Sequence, residues 1–173
     1  GASCIIVTGL SADRHRLELA RELGAHHTID IEKEDLLETV ADLTGGLMAD
    51  LVIDCASGGP ATIVAAVQLA RKHGTILLGG RKGEPVPKFD SDILFKKCLT
   101  LKGVRGHSYQ AVELGLATIA SGRYPLHKLC THVFGLDQVD AALHTVGGQA
   151  GRAAIHCCVD PWRTGGGAVS EPG

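Results

Sequence analysis

Aromatic side chains are scarce in this 173-residue chain: one Trp, two Tyr and three Phe make up 3% of it. The formal net charge is −2, and lysines and arginines are interleaved with acids, as in Arg21-Glu22 and Glu32-Lys33-Glu34-Asp35. Both features argue against a nucleic-acid surface, which needs stacking platforms and clustered cations; the mixed charges read as solvated helix faces. No apolar run approaches the roughly 18 residues needed to span a bilayer. Gly1 to Leu10 has neither a basic start nor a long apolar stretch, so no signal peptide is expected. Six cysteines are present without a C-x-x-C pair, and nine histidines without H-E-x-x-H spacing. A disulfide framework and a zinc site built wholly from this chain are therefore not expected. Free cysteines inside apolar runs, with no membrane segment, predict a soluble protein of a reduced, cytoplasmic compartment. The glycine-rich phosphate loop G-x-G-x-x-G is also missing.

What the chain does have is a recurrent pattern. The aliphatic runs Cys4-Ile5-Ile6-Val7-Thr8, Asp50-Leu51-Val52-Ile53-Asp54 and Thr75-Ile76-Leu77-Leu78-Gly79-Gly80 each break into small or turn-forming residues. The first two lead into amphipathic helical patterns. Buried strands alternating with helices predict an α/β fold around a parallel sheet, whose ligands bind at the carboxyl ends of the strands. Gly9, Ser57-Gly58-Gly59 and Gly79-Gly80 stand at those ends. At 45% hydrophobic and 21% charged, the chain suits one domain with a real core.

Element by element, strand Cys4–Thr8 is followed by a helix to about Leu23, with Ser11 or Asp13 as N-cap and Gly24 past its end. His27–Asp30 reads as a second strand, and Asp35–Leu43 as a helix stopped by Thr44-Gly45-Gly46. After strand Asp50–Asp54, Pro60 opens a helix to about Lys72; Gly74 ends it before strand Thr75–Leu78. Arg81 to Lys88 is a loop, Asp90–Lys97 a short helix, Leu99–Val104 a strand and Tyr109–Ser121 a helix. Leu126–Phe134 reads as a connection with an edge strand, Asp137–Val146 as a helix and Arg152–Val159 as a last strand. Residues 162 to 173, Gly-rich and polar after Trp162, predict a disordered tail.

From Ile5 to Pro161 the order of RLELARELGAHHTID, LTGGLMADLVIDCASG, RKHGTILLGG, LTLKGVRGHS, THVFGLDQVDAAL and GRAAIHCCVDP resembles the medium-chain, zinc-containing alcohol and polyol dehydrogenases. The likeness is to the sorbitol and threonine dehydrogenase branch. It implies a Rossmann-like parallel sheet with flanking helices, lacking its first strand and glycine-rich loop. Residues 1–161 would be an incomplete dinucleotide-binding domain with its returning C-terminal segment. In the strand order 3-2-1-4-5-6, the lost first strand is central, which leaves a gap between its neighbours. The zinc ligands would lie outside this chain, and the fragment is expected to be inactive by itself.

The resemblance also implies where a cofactor would be met. Gly9 stands where an acid usually accepts from the adenosine ribose, and Ser11 with Arg14 or Arg16 follows. That arrangement favours NADP over NAD, while Asp13 remains an alternative partner for the ribose; a plain helix cap with solvated arginines weighs equally. Cys55-Ala56-Ser57 and Leu78-Gly79-Gly80 would line the adenine and nicotinamide sides through their backbones. Val104 and Arg105 match the segment that meets the nicotinamide amide, and Arg152 the arginine that reaches the pyrophosphate, where a planar fork suits phosphate. Asp54 reads as a turn cap and His107 as loop surface.

The leading expectation is thus the cofactor-binding part of an NAD(P)-dependent, zinc-type alcohol or polyol dehydrogenase, with small alcohols or polyols as substrates and a homo-oligomer paired through Leu99–Val104. A zinc-free quinone reductase relative is one alternative. A truncated, non-catalytic interaction protein is another.

Overall fold

The computed structural model describes residues 1–57, 59–87, 89–149 and 153–169. The chain divides into two compact units, Gly1–Glu34 with Tyr109–Gly173, and Asp35–Ser108.

The first unit opens with strand β1, Ile6–Gly9, and helix α1, Arg14–Glu22, followed by strand β2, His27–Asp30. β1 and β2 pair in parallel, with Gly9 opposite Asp30. Leu17 and Leu19 of α1 are buried. A Cβ at Gly9 would sit 3.1 Å from Leu17 Cδ2, a tight approach that the leucine would have to yield to. The expected side-chain caps do not form. Ser11 to Asp13 make one 3-10 turn, and Asp13 at the N-cap of α1 makes no side-chain cap bond. The Ser11 hydroxyl donates to Asp30 instead.

The second unit starts with helix α2, Leu36–Leu43, capped by Asp35, whose carboxylate accepts from the Glu38 N–H at 2.9 Å. Strand β3, Ala49–Asp54, helix α3, Ala61–Leu69, strand β4, Ala70–Leu78, helix α4, Asp92–Lys97, and strand β5, Thr100–Gly103, follow. The order β3-β4-β5 is parallel throughout, with β5 at one edge. Ile63, Ala66 and Val67 of α3 bury against Ala70 and Ile76 of β4, with Val52, Leu78, Ile93 and Leu94 around them. Burying a side chain such as Ile76 contributes roughly 1.5–3 kcal/mol.

Helix α3 ends three residues before the expected Lys72. The reason lies 27 to 30 residues downstream: Lys97 Nζ donates to the carbonyls of Val67, Gln68 and Ala70 at 3.0, 2.8 and 2.8 Å. These are carbonyls that a helix end leaves without a partner, and a cation there also suits the helix dipole. Burial holds the Lys97 ammonium below its ordinary pKa.

Returning to the first unit, the chain adds helix α5, Tyr109–Ala120, strand β6, Cys130–Phe134, helix α6, Val139–Val146, strand β7, His156–Val159, and strand β8, Gly166–Ala168. β6 was expected at an edge, yet it is central: β7 pairs with it in parallel and β8 antiparallel. Gly166–Ala168, assigned to the tail by sequence, forms β8. Glycine explains the difference, since a Cβ at Gly166 would sit 2.6 Å from Phe134 Cα. The tail lies flush on β6, and Gly135 N–H donates to Gly165 O at 2.8 Å. Arg16 Nη2 donates to Ala154 O at 2.7 Å, and Lys128 pairs with Glu22 at 2.6 Å.

The parallel strands thus fall into separate sheets, β1-β2 and β3-β4-β5, in agreement with a Rossmann-like fold lacking its first strand. Among the described residues, no helix is long and apolar enough to cross a membrane.

Candidate functional site

At the end of β1, Ser11, expected near an adenosine, is already held by two acids at and just past the end of β2. Ser11 Oγ donates to Asp30 Oδ2 at 2.6 Å, and Ser11 N–H donates to Glu32 Oε2 at 2.7 Å. Lys33 Nζ lies 2.8 Å from the same Asp30 oxygen. The hydrogen bond from Lys33, then that from Ser11, holds the Asp30 carboxyl below its usual range, so it is ionised at neutral pH.

The arginines are engaged elsewhere. Arg14 pairs with Glu18 at 2.8 Å, one helical turn along. Arg16 reaches Ala154 O and lies 3.7 Å from Asp13. Sequence reading named Ser11 but not its partners Asp30 and Glu32, which the parallel register of β1 with β2, Gly9 opposite Asp30, brings beside it.

In the second unit, the ends of β3, β4 and β5 converge. Gly79 and Gly80 N–H both donate to Asp54 O at 2.9 Å, and Val104 N–H donates to Leu78 O at 2.9 Å. A Cβ at Gly80 would run into the Ala56 carbonyl, 2.6 Å from its carbon and 2.7 Å from that of Cys55. Gly80 is thus required by the fold. Gly79 differs: a Cβ there would meet a Val104 methyl at 3.6 Å and the Cys55 sulfur at 3.7 Å, ordinary contacts. Gly79, Cys55, Ala56 and Ser57 are exposed, so this turn presents backbone to the outside. Val104 and Arg105 are exposed just beyond β5.

A buried ionic network beneath this turn was not foreseen. Lys82 Nζ donates to Ala56 O at 2.6 Å and Thr62 Oγ1 at 2.8 Å, and pairs with Asp54 Oδ2 at 2.7 Å. Asp54 also accepts from Thr62 Oγ1 at 2.9 Å and, through Oδ1, from Ala56 N–H at 3.1 Å. Gly59 N–H donates to Lys82 O at 3.1 Å. All three ammonium donors have acceptors, the condition under which a buried cation is tolerated. Asp54 therefore fixes the turn from below, and Lys82 anchors the polar loop to it.

Arg152 lies outside the described residues. His107 is exposed. Among the described residues, no group of three or more His, Cys, Asp or Glu is placed to hold a metal ion. In the second unit the backbone at Gly79 is uncrowded, and in the first unit the carboxyl beside Ser11 is ionised.

The chain is 34% identical to a probable alcohol dehydrogenase of Mycobacterium tuberculosis over 93% of this chain and 45% of that protein. It is 30% identical to a sorbitol dehydrogenase of Halalkalibacterium halodurans, over 82% of this chain and 41% of that one. An alcohol dehydrogenase structure from Thermotoga maritima superposes with a TM-score of 0.79 and 26% identity, covering 92% of this chain and 44% of that one. The chain thus spans under half the length of these relatives. Residues 1–121 match the family model described as zinc-binding dehydrogenase. With the parallel strands and their turns in place, the chain belongs to the zinc-binding dehydrogenase family.

Proposed function

We propose that this chain is the dinucleotide-holding part of an NAD(P)-dependent alcohol or polyol dehydrogenase, residues 1–161 serving as that incomplete domain, and that it is inactive without the rest of such an enzyme. The observation that carries the reading is the convergence of Cys55-Ala56, Leu78-Gly79-Gly80 and Val104 at the carboxyl ends of three adjacent parallel strands, with Gly79 exposed and uncrowded. Ligands of open α/β sheets bind at such ends. When bound, the nicotinamide supplies the hydride acceptor or donor. The chain's own contribution is to present backbone groups at Gly79 and Val104, held in shape by Lys82 and Asp54. Zinc would be held by residues outside this chain.

NAD is the better fit of the two cofactors. A 2′-phosphate beside Ser11 would face the Asp30 and Glu32 carboxylates, while Arg14 and Arg16 are occupied by Glu18 and Ala154 O. A ribose hydroxyl, in contrast, can donate to an ionised carboxylate. These contacts support NAD, where the sequence alone favours NADP. Titrating NADH and NADPH into the purified 173-residue chain tests both levels, by calorimetry or cofactor fluorescence. Tighter NADH binding supports the reading; tighter NADPH binding removes the choice of NAD; binding of neither, by a chain shown to be folded, removes the cofactor role.

We also infer that the complete protein is a homo-oligomer paired through β5. The support is its position at the edge of β3-β4-β5, with all four of its residues exposed.

A further inference from the structure

We infer that Cys130 and Cys158 form a redox couple, placed on adjacent strands to close as a reversible disulfide. Cys130 opens β6 opposite His156, and after a register shift Val133 lies opposite Cys158. His156 and Cys158 are two residues apart on β7, hence on one face of it, whereas Cys157 points to the other. The result is a sulfur–sulfur distance of 3.1 Å, with the Cys130 thiol donating to the Cys158 sulfur. A disulfide bond is about 2.05 Å long, so closure needs the sulfurs to move together by about 1 Å. Both thiols are half-buried, while Cys4, Cys55 and Cys98 are exposed.

The oxidant required is a hydroperoxide. Cys158 sulfur attacks the peroxide oxygen, the O–O bond breaks, and a sulfenic acid forms as one water leaves. Cys130 sulfur then attacks Cys158 sulfur; the S–S bond forms, the S–O bond breaks, and the hydroxyl leaves as a second water with the Cys130 proton. In sum, two thiols and one hydrogen peroxide give one disulfide and two waters. A dithiol reductant reverses the oxidation by exchange.

Cys130 suits the resolving role. Burial, with the hydrogen bond to Cys158 next, pushes its thiol up to about 11, so at neutral pH it is mostly S–H and a poor first target for peroxide, which leaves it the second step. Closure would tie β6 to β7 across the intervening helix α6. It is also expected to speed up with pH, roughly tenfold per unit while the attacking thiol remains mostly protonated.

The test is peptide mapping of the full chain. The reduced protein is exposed to hydrogen peroxide at about pH 7.5 and about pH 8.5, quenched by alkylation and digested for mass spectrometry. The expected product is a Cys130–Cys158 linked peptide pair, lost on dithiothreitol treatment, retained in Cys157→Ser and absent in Cys158→Ser. A Cys130–Cys157 link would overturn the assignment. So would consumption of Cys4, Cys55 and Cys98 while Cys130 and Cys158 stay alkylatable, or their conversion to sulfinic acids without a link. Should Cys158→Ser fail to fold, mapping of the unaltered chain and of Cys157→Ser decides alone.

Discussion

Lys82 Nζ lies 2.7 Å from Asp54 Oδ2, and the pair is nearly closed to solvent, with side chains 11% and 4% exposed. Burying such a pair is costly, and here the cost is offset by complete satisfaction: the ammonium also serves Ala56 O and Thr62 Oγ1, and the carboxylate also accepts from Thr62 and Ala56. Lys82→Met is expected to destabilise the chain by about 3–5 kcal/mol, because it leaves Asp54 buried without its cation. Urea denaturation measures this. Lys82→Met combined with Asp54→Leu should cost clearly less than the sum of the single changes; strict additivity would mean that the two charges do not depend on each other.

That network marks the limit of what the sequence made legible. The parallel strands were visible as aliphatic runs, and most element boundaries fell within two residues, because β-branched periodicity and Gly punctuation are local signals. Long-range choices were not visible. Nothing near Leu69 announces that Lys97 will end α3, and nothing in Arg163–Ala168 announces that its glycines will seat a strand on Phe134. At the candidate site, the glycines were found as punctuation. Distinguishing Gly80, which the Ala56 carbonyl demands, from Gly79, which nothing among the described residues demands, took the geometry.

That distinction gives a paired prediction. Gly80→Ala places a methyl against backbone, which cannot yield as a flexible side chain does, and should cost about 1–3 kcal/mol with a changed turn. Gly79→Ala meets only ordinary contacts, and is expected to change stability by less than about 0.5 kcal/mol while weakening NADH binding. Thermal melting and calorimetric titration of both variants separate the effects. Equal stability losses would mean that Gly79 is as structural as Gly80.

Asp30 supplies a pH prediction. The Lys33 and Ser11 hydrogen bonds hold its folded pKa below the ordinary value of 3.8, so its ionised form is favoured in the fold. The sign follows from linkage: the stability it contributes is fully present above the unfolded pKa and is lost as pH falls through the lower, folded one. The melting temperature of the chain should therefore exceed that of Asp30→Asn from neutral pH to about pH 5, and the two should converge towards about pH 3. A difference that persists undiminished in acid would mean that the carboxylate charge is not what matters at this position.

The edge of β5 can be tested without any cofactor. An unpaired strand edge flanked by apolar side chains invites pairing, and β5 ends its sheet with Leu101 39% and Val104 40% exposed. If copies of the chain join through this edge, light scattering during size exclusion should give a mass well above the 18.0 kDa of one chain. Leu101→Lys should return it to 18.0 kDa, because charges at an edge strand oppose edge-to-edge pairing. A quaternary state left unchanged by Leu101→Lys would place the contact elsewhere and remove β5 from the proposed interface.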